Sequence, residues 1–226
     1  MSDPRNEEEA IRKRYMNVDS STLSDLLAKA GRPEQCLSPD LRRIGSQDGK
    51  IAGWAYTIRG QMTPYEGAAD PDKMRAIEGL SSGQVALWGG ATEGVCCFGE
   101  LLALGMKVRG CVGAVVDGGI RDSHWIGKHG FPLFAKYTTP VASTGRWRVT
   151  GCQIPLYLPG AVSRTVTVNP GDFVLGDSDG VAVVPKQLVL AILSEAEEIT
   201  ERENAIRKEI DGGASLDVVL KRYGQI

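Results

Sequence analysis

Apolar and polar positions recur with two different periods along this chain. Ile51–Arg59 (IAGWAYTIR) alternates as a strand does. Gln84–Trp88 (QVALW), Gly113–Asp117 (GAVVD) and Pro132–Tyr137 (PLFAKY) are short apolar runs of the buried-strand type. Between them lie segments with helical spacing, Val95–Lys107 and a short stretch opening at Arg121 (RDSHWIGKHG). Strand, helix, strand, helix, strand predicts parallel pairing through right-handed crossovers. Upstream, residues 1–9 are polar and expected to be disordered, and a helix follows over about Glu9–Val18. A second helix is expected to open on Thr22-Leu-Ser-Asp25, which resembles a capping box, and to close at Gly31. GAADPDKMRAIEGL reads as a loop and a short helix.

Downstream the pattern turns to strands. Ser163–Val168 and Asp172–Leu175 flank the turn Asn169-Pro170-Gly171, and the turn Asp177–Gly180 precedes Val181–Val184. A long charged helix over about Gln187–Ile210 ends at Gly212 and Gly213, and SLDVVLKRYG adds a last short helix. The pattern predicts one α/β domain over residues 1–226, with a parallel βαβ centre and a helical C-terminal arm from about 187 to 226.

Composition narrows the function classes. With 226 residues, 42% hydrophobic and 24% charged, the chain can bury a sizeable core. A net charge of −2 gives no basic field to attract nucleic acid. No apolar run approaches the ~20 residues that span a bilayer, so no membrane partner is expected. The acidic-then-basic N-terminus has no signal-peptide core, which points to the cytoplasm. Five cysteines without a CxxC pair read as reduced thiols. His124 and His129 are five residues apart, and a helix would place them on different faces, which argues against a zinc site.

Ligands bind open α/β sheets beyond the carboxyl ends of the strands. Two such ends are expected to share one crevice. The first is the loop Gly89-Gly90-Ala91-Thr92-Glu93-Gly94, leading into the helix that carries Glu100. Amides at that helix start suit a carboxylate or phosphate. No GxGxxG or GxxxxGK[ST] is present, so neither a dinucleotide nor a P-loop nucleotide is indicated, and a methyltransferase of the Rossmann type is unsupported. The second end is Asp117-Gly-Gly-Ile-Arg121-Asp122. Arg offers a planar fork to carboxylate or keto oxygens, and Asp is a hard ligand for Mg²⁺ or Mn²⁺. Alternatively, Asp122 is a helix cap or the partner of a surface ion pair. Glu100 adds a second carboxylate that can hold metal-bound water.

Gly99-Glu100, twenty residues, then Arg121-Asp122 resembles the signature of the class II pyruvate aldolases of the RraA-like superfamily. These enzymes act on 4-hydroxy-4-methyl-2-oxoglutarate and 4-carboxy-4-hydroxy-2-oxoadipate. VVDGGIRD (115–122), PLFA (132–135), VNPGD (168–172) and DSDGVAVVP (177–185) extend the resemblance over about residues 17–210. It implies a swivelling β/β/α domain assembled as a homotrimer or hexamer, with sites between subunits. It implies Asp122 as direct ligand of Mg²⁺ or Mn²⁺ and Glu100 as the residue that positions metal-bound water. Arg121 would sit on the keto oxygen and stabilise the enolate, and the amides of Leu101 and Leu102, next to Gly99, would hold the pyruvate carboxylate. A neighbouring subunit would contribute a glutamate, with Glu197, Glu198 and Glu201 as candidates. Two positions depart from the family pattern: Glu100 stands where Asp is usual, and Trp125 where some members carry an acidic residue.

The expected activity is divalent-metal-dependent cleavage of a 4-hydroxy-2-oxo acid to pyruvate and a second carbonyl compound, with oxaloacetate decarboxylation related to it. The alternative is a non-catalytic regulator that binds a ribonuclease or helicase complex, as the superfamily's namesake does. A Schiff-base aldolase using Lys107 or Lys136 would require a lysine with a depressed pKa.

Overall fold

The computed structural model describes residues 4–45, 49–67 and 70–224. Eleven strands form among them. They are β1 (Arg42–Ile44), β2 (Ile51–Met62), β3 (Gln84–Gly89), β4 (Cys96–Phe98), β5 (Gly113–Ile120), β6 (Leu133–Thr138), β7 (Trp147–Cys152), β8 (Leu156–Pro159), β9 (Thr165–Val168), β10 (Phe173–Gly176) and β11 (Val181–Val184). The helices are α1 (Pro4–Tyr15), α2 (Ser20–Lys29), α3 (Pro71–Glu78), α4 (Glu100–Val108), α5 (Ser123–Lys128), α6 (Val189–Asp211) and α7 (Leu216–Tyr223).

The main sheet runs β1-β6-β5-β3-β2-β10-β11, with β4 on β5 and β7 on β2. The pairs β2–β3, β3–β5 and β5–β6 are parallel, which is the expected βαβ centre. Strand alternation sorts the core into faces. Ala86 and Trp88 of β3, Val116 of β5 and Ala135 of β6 point toward α3, α4 and α5. Val85, Leu87, Val115 and Phe134 point the other way, under the hairpin β8–β9 with its buried Leu156, Leu158, Val166 and Val168. The layers are therefore helix, sheet and β-hairpin, as expected for a β/β/α arrangement.

A third cluster closes the β10–β11 side. Leu23, Leu26 and Leu27 of α2 are buried there with Tyr15, Phe173 and Leu193. Each such leucine contributes about 1.5–3 kcal/mol through burial. Tyr15 stacks on Phe173 at 4.2 Å and donates its hydroxyl to Val189 O at 2.7 Å, which pins α1 to the start of α6.

Some boundaries differ from expectation. The first helix begins at Pro4 rather than Glu9, with Pro at its first position, where its missing N–H costs nothing, and Glu7 in its first turn. Residues 1–3 lie outside the described set. The N-cap of α2 is Asp19, and Thr22 is a buried residue inside the helix, so Thr22–Asp25 is no capping box. The acidic run of α6 finds several of its partners within the chain. Glu195 pairs with Lys29, Glu197 with Arg14 and Glu203 with Arg207.

Candidate active site

The glycine-rich loop 89–94 does not lead into a helix. It leads into β4, which pairs in parallel with the end of β5 (Cys96↔Gly119, Phe98↔Ile120). Tight packing dictates the small residues here. A Cβ on Gly118 would sit 1.9 Å from Thr92 Oγ1, and one on Gly119 would sit 2.5 Å from Val95 O. Thr92 Oγ1 instead accepts from Gly119 N at 2.7 Å, and the Tyr137 hydroxyl donates to Thr92 O at 2.6 Å. Asp117, expected at the turn, lies within β5, is buried, and pairs with Lys136 at 2.5 Å.

Because β4 lies on β5, the two expected turns meet. Arg121 N donates to Phe98 O at 3.0 Å, which sets Gly99-Glu100 directly beside Arg121-Asp122. Gly99 is the N-cap of α4. A Cβ there would approach Asp122 Oδ2 to 3.0 Å and Arg121 Cγ to 3.3 Å. Asp122 has φ 59° and ψ 30°, the left-handed region that Asp tolerates better than most residues. It precedes α5, yet its side chain makes no capping bond. Its nearest charged partner is Arg121, Nε to Oδ2 at 3.5 Å, with both side chains about half exposed.

These residues line a cleft of about 240 Å³ with Lys73, Cys96, Phe98, Leu101, Leu102 and Ser143. Phe98 is backed by Trp88, whose ring lies 5.8 Å from it and 6.1 Å from that of Trp147. Three site features are invisible to local pattern. Glu100 Oε1 lies 2.9 Å from His129 Nε2, which fixes the carboxylate. Lys73 reaches the cleft from α3. Lys107 and Lys136 do not line it, since Lys107 donates to His129 O and Lys136 holds Asp117. Only the chain's return through β4 and α5 could have revealed these neighbours.

Among the described residues, no three His, Cys, Asp or Glu side chains group as a metal cage. An Mg²⁺-type ion needs less, because it keeps several waters and takes one or two carboxylates. Asp122, free of capping duty, and Glu100 supply hard oxygen donors on one cleft, so the residues present fit Mg²⁺ or Mn²⁺.

A larger depression of about 680 Å³ lies elsewhere, between α1 and the start of β3, lined by Glu8, Trp54, Gly83 and Lys186. It contains none of the expected site residues, although Pro170 and Gly171 of VNPGD line it.

Comparison with known proteins supplies the family and the fold. The Aldolase/RraA family model (RraA-like) matches residues 20–183. An uncharacterised protein of Methanocaldococcus jannaschii is 34% identical over 149 residues, covering 64% of this chain and 62% of that one. Protein DlpA of Legionella pneumophila is 27% identical over 93% of this chain, which spans only 33% of DlpA. The chain thus matches less than two thirds of either relative's length. A Cupriavidus necator protein provisionally named 4-hydroxy-4-methyl-2-oxoglutarate aldolase is 31% identical over 154 residues, covering 67% of this chain and 85% of that one. Among solved structures, an uncharacterised Pseudomonas syringae protein superposes with a TM-score of 0.82 at 23% identity, covering 95% of this chain and 94% of that one. The RNA-processing inhibitor RraA of Thermus thermophilus superposes with a TM-score of 0.59 at 26% identity, covering 74% and 93%.

Proposed function

Because this chain belongs to the Aldolase/RraA family, we propose that it is a divalent-metal-dependent lyase that cleaves a 4-hydroxy-2-oxo acid to pyruvate and a second carbonyl compound. The observation that carries this reading is the meeting of Gly99-Glu100 and Arg121-Asp122 on one cleft, with the Asp122 carboxylate left out of helix capping. The aldolase name of the Cupriavidus relative supports it.

In this reading Asp122, with Glu100 acting through water, holds Mg²⁺ or Mn²⁺. When bound, the ion supplies Lewis-acid polarisation of the keto oxygen. The amides of Leu101 and Leu102, in the first turn of α4, receive the substrate's 1-carboxylate. Glu100, steadied by His129, takes the proton of the 4-hydroxyl directly or through a water. The C3–C4 bond then breaks, its electrons pass to the C2–C3 enolate, and Arg121 meets the charge that develops on the enolate oxygen. Return of the proton to C3 yields pyruvate. Oxaloacetate decarboxylation would generate the same enolate. The family resemblance supports a site between subunits of a homotrimer or hexamer; of the candidate α6 glutamates, Glu197 pairs with Arg14, and Glu198 and Glu201 have no ion-pair partner among the described residues.

Pyruvate release measured over a panel of 4-hydroxy-2-oxo acids and oxaloacetate, with Mg²⁺ and with chelator, tests this reading. Turnover that survives chelation would refute metal dependence. The likeness to the Thermus inhibitor supports a second reading, a regulator that binds an RNA-processing complex. In that case no acid of the panel would be cleaved, and affinity capture would retrieve a nuclease or helicase.

A further inference from the structure

The proposed chemistry uses one cation of the cleft, Arg121, and leaves Lys73 without a task. Lys73 is rigidly placed. Its helix is capped by Asp70, whose Oδ1 accepts from Lys73 N at 3.3 Å, and Pro71 opens the first turn. Asp70 Oδ2 accepts from Val149 N at 2.8 Å and fastens the helix to β7. The Lys73 side chain passes over the Trp147 ring at 5.1 Å, and Nζ donates to Cys97 O and Ser143 Oγ, both at 3.3 Å.

All three partners of the ammonium are neutral. Among the described residues no carboxylate forms an ion pair with Nζ, and Asp70 spends both oxygens on backbone amides. A partly buried cation without an anion is costly, and the structure bears that cost beside a cleft. Burial holds the amine below the ordinary lysine range and the nearby Arg121 charge adds to this, while the Asp70 charge offsets it only in part. An anion entering the cleft would offset both effects. Ser143 and Thr144 line the same wall with hydroxyl groups.

We propose that Lys73, with the hydroxyls of Ser143 and Thr144, receives the second carboxylate of a dicarboxylic oxo acid and so determines which 4-hydroxy-2-oxo acids the cleft accepts. The inference rests on the reading of the cleft as an oxo-acid site. It gives the cleft two poles, with the 1-carboxylate at the α4 amides and the distal carboxylate at Lys73. A lysine beside another cation also suits imine formation. The neutral acceptors and the aromatic face around Nζ suit the ammonium instead.

Calorimetric titration in Mg²⁺ with pyruvate, which has one carboxylate, and 2-oxoglutarate, which has two, separates these possibilities. The native protein should bind 2-oxoglutarate more tightly by about 10- to 100-fold, the range for one added charge-assisted contact. Lys73→Met should lose that preference and keep its pyruvate affinity. Lys73→Gln, which keeps an N–H donor without the charge, serves where Lys73→Met does not fold. An unchanged preference, or an equal loss for both acids, would overturn the role of Lys73 and leave the cleft reading standing. Failure of the native protein to bind either acid would overturn both. A borohydride-trapped pyruvate adduct on Lys73, seen by intact mass, would overturn the anchor in favour of a nucleophilic amine.

Discussion

Two regions of this molecule use aspartate at a turn, and they use it in opposite ways. At the β10–β11 side, Asp172 is buried and accepts from Asn169 N at 2.7 Å and Lys186 N at 2.9 Å. Asp177 nearby accepts from Ser20 N at 2.7 Å, Ser20 Oγ at 2.6 Å and Asp179 N at 3.1 Å. At the cleft, Asp122 stands before a helix in a left-handed conformation and caps nothing. The first pair spends its oxygens on orphan amides, which holds turns and helix starts in place. The second keeps its oxygens available at some backbone cost. VNPGD and DSDGVAVVP belong to the resemblance as RD does, yet the carboxylates of the first two are used in the fold and that of Asp122 makes no capping bond.

The largest effect should follow from removing the available carboxylate. Asp122→Asn tolerates the same backbone conformation and removes the charge. We expect metal-dependent pyruvate release to fall to background, with a melting temperature near that of the native protein. A variant that keeps native turnover and metal affinity would place Asp122 with Asp172, as a structural residue. EDTA should reproduce the loss in the native protein, and added Mg²⁺ or Mn²⁺ should reverse it.

Arg121→Lys should come next. Lysine retains the charge and loses the planar fork. Losing one preorganised donor costs about 10²–10³ in turnover, and retention of the charge favours the lower end. Stability should shift by no more than about 1 kcal/mol, because the Arg121–Asp122 pair is half exposed. Turnover and denaturant midpoint measured on the same preparation check this, and a folding defect with normal specific activity would reverse the assignment.

Asp172→Ala should show the opposite balance. It strands the amides of Asn169 and Lys186 next to buried strands, at a cost of about 2 kcal/mol in stability. Specific activity of the folded fraction should remain native. If denaturant melts show no loss, the contrast drawn between the two regions fails.

Much of the fold was legible because the buried strands announce themselves. QVALW, GAVVD and VAVV are apolar runs bounded by glycine or proline, and all three are strands of the main sheet. β4 was not legible: Val95, Cys96, Cys97 and Phe98 join smoothly to the apolar residues of α4, and only Gly99 marks the break. β7 carried a readable signal, since Trp147 and Val149 are buried and Arg148 and Thr150 exposed. The sequence motif placed Arg121-Asp122 and Gly99-Glu100 near one another, but the hydrogen bond that joins them needs β4. His129 and Lys73 are brought in by tertiary packing from 29 and 24 residues away (from Glu100 and Cys97, respectively), distances over which no local periodicity operates.

The smallest expected effect tests whether Lys73 is as unbalanced as the cleft geometry implies. Its folded pKa lies below the ordinary 10.5, with burial the leading cause. The unfolded chain therefore binds more protons between the folded value and 10.5, and stability from this group rises with pH across that window. Buried thiols act the other way. Cys97 is pushed up to about 12 and Cys111 to about 11, so the native state keeps their protons longer and loses stability as pH climbs past the ordinary thiol value. The net alkaline slope of the native protein mixes these contributions. The difference between native protein and Lys73→Met cancels Cys111 and leaves the amine together with the influence of its charge on the Cys96 and Cys97 thiols, which Lys73 draws down. That difference should move in favour of the native protein as pH rises toward 10.5 and then level off, since both folded and unfolded amines are then neutral. Denaturant melts of the two proteins from pH 7 to pH 11 measure it. A flat difference would mean that the ammonium is already compensated in the folded state, and Lys73 would then belong with Asp172 and Asp177 among the residues whose polar groups the fold itself satisfies.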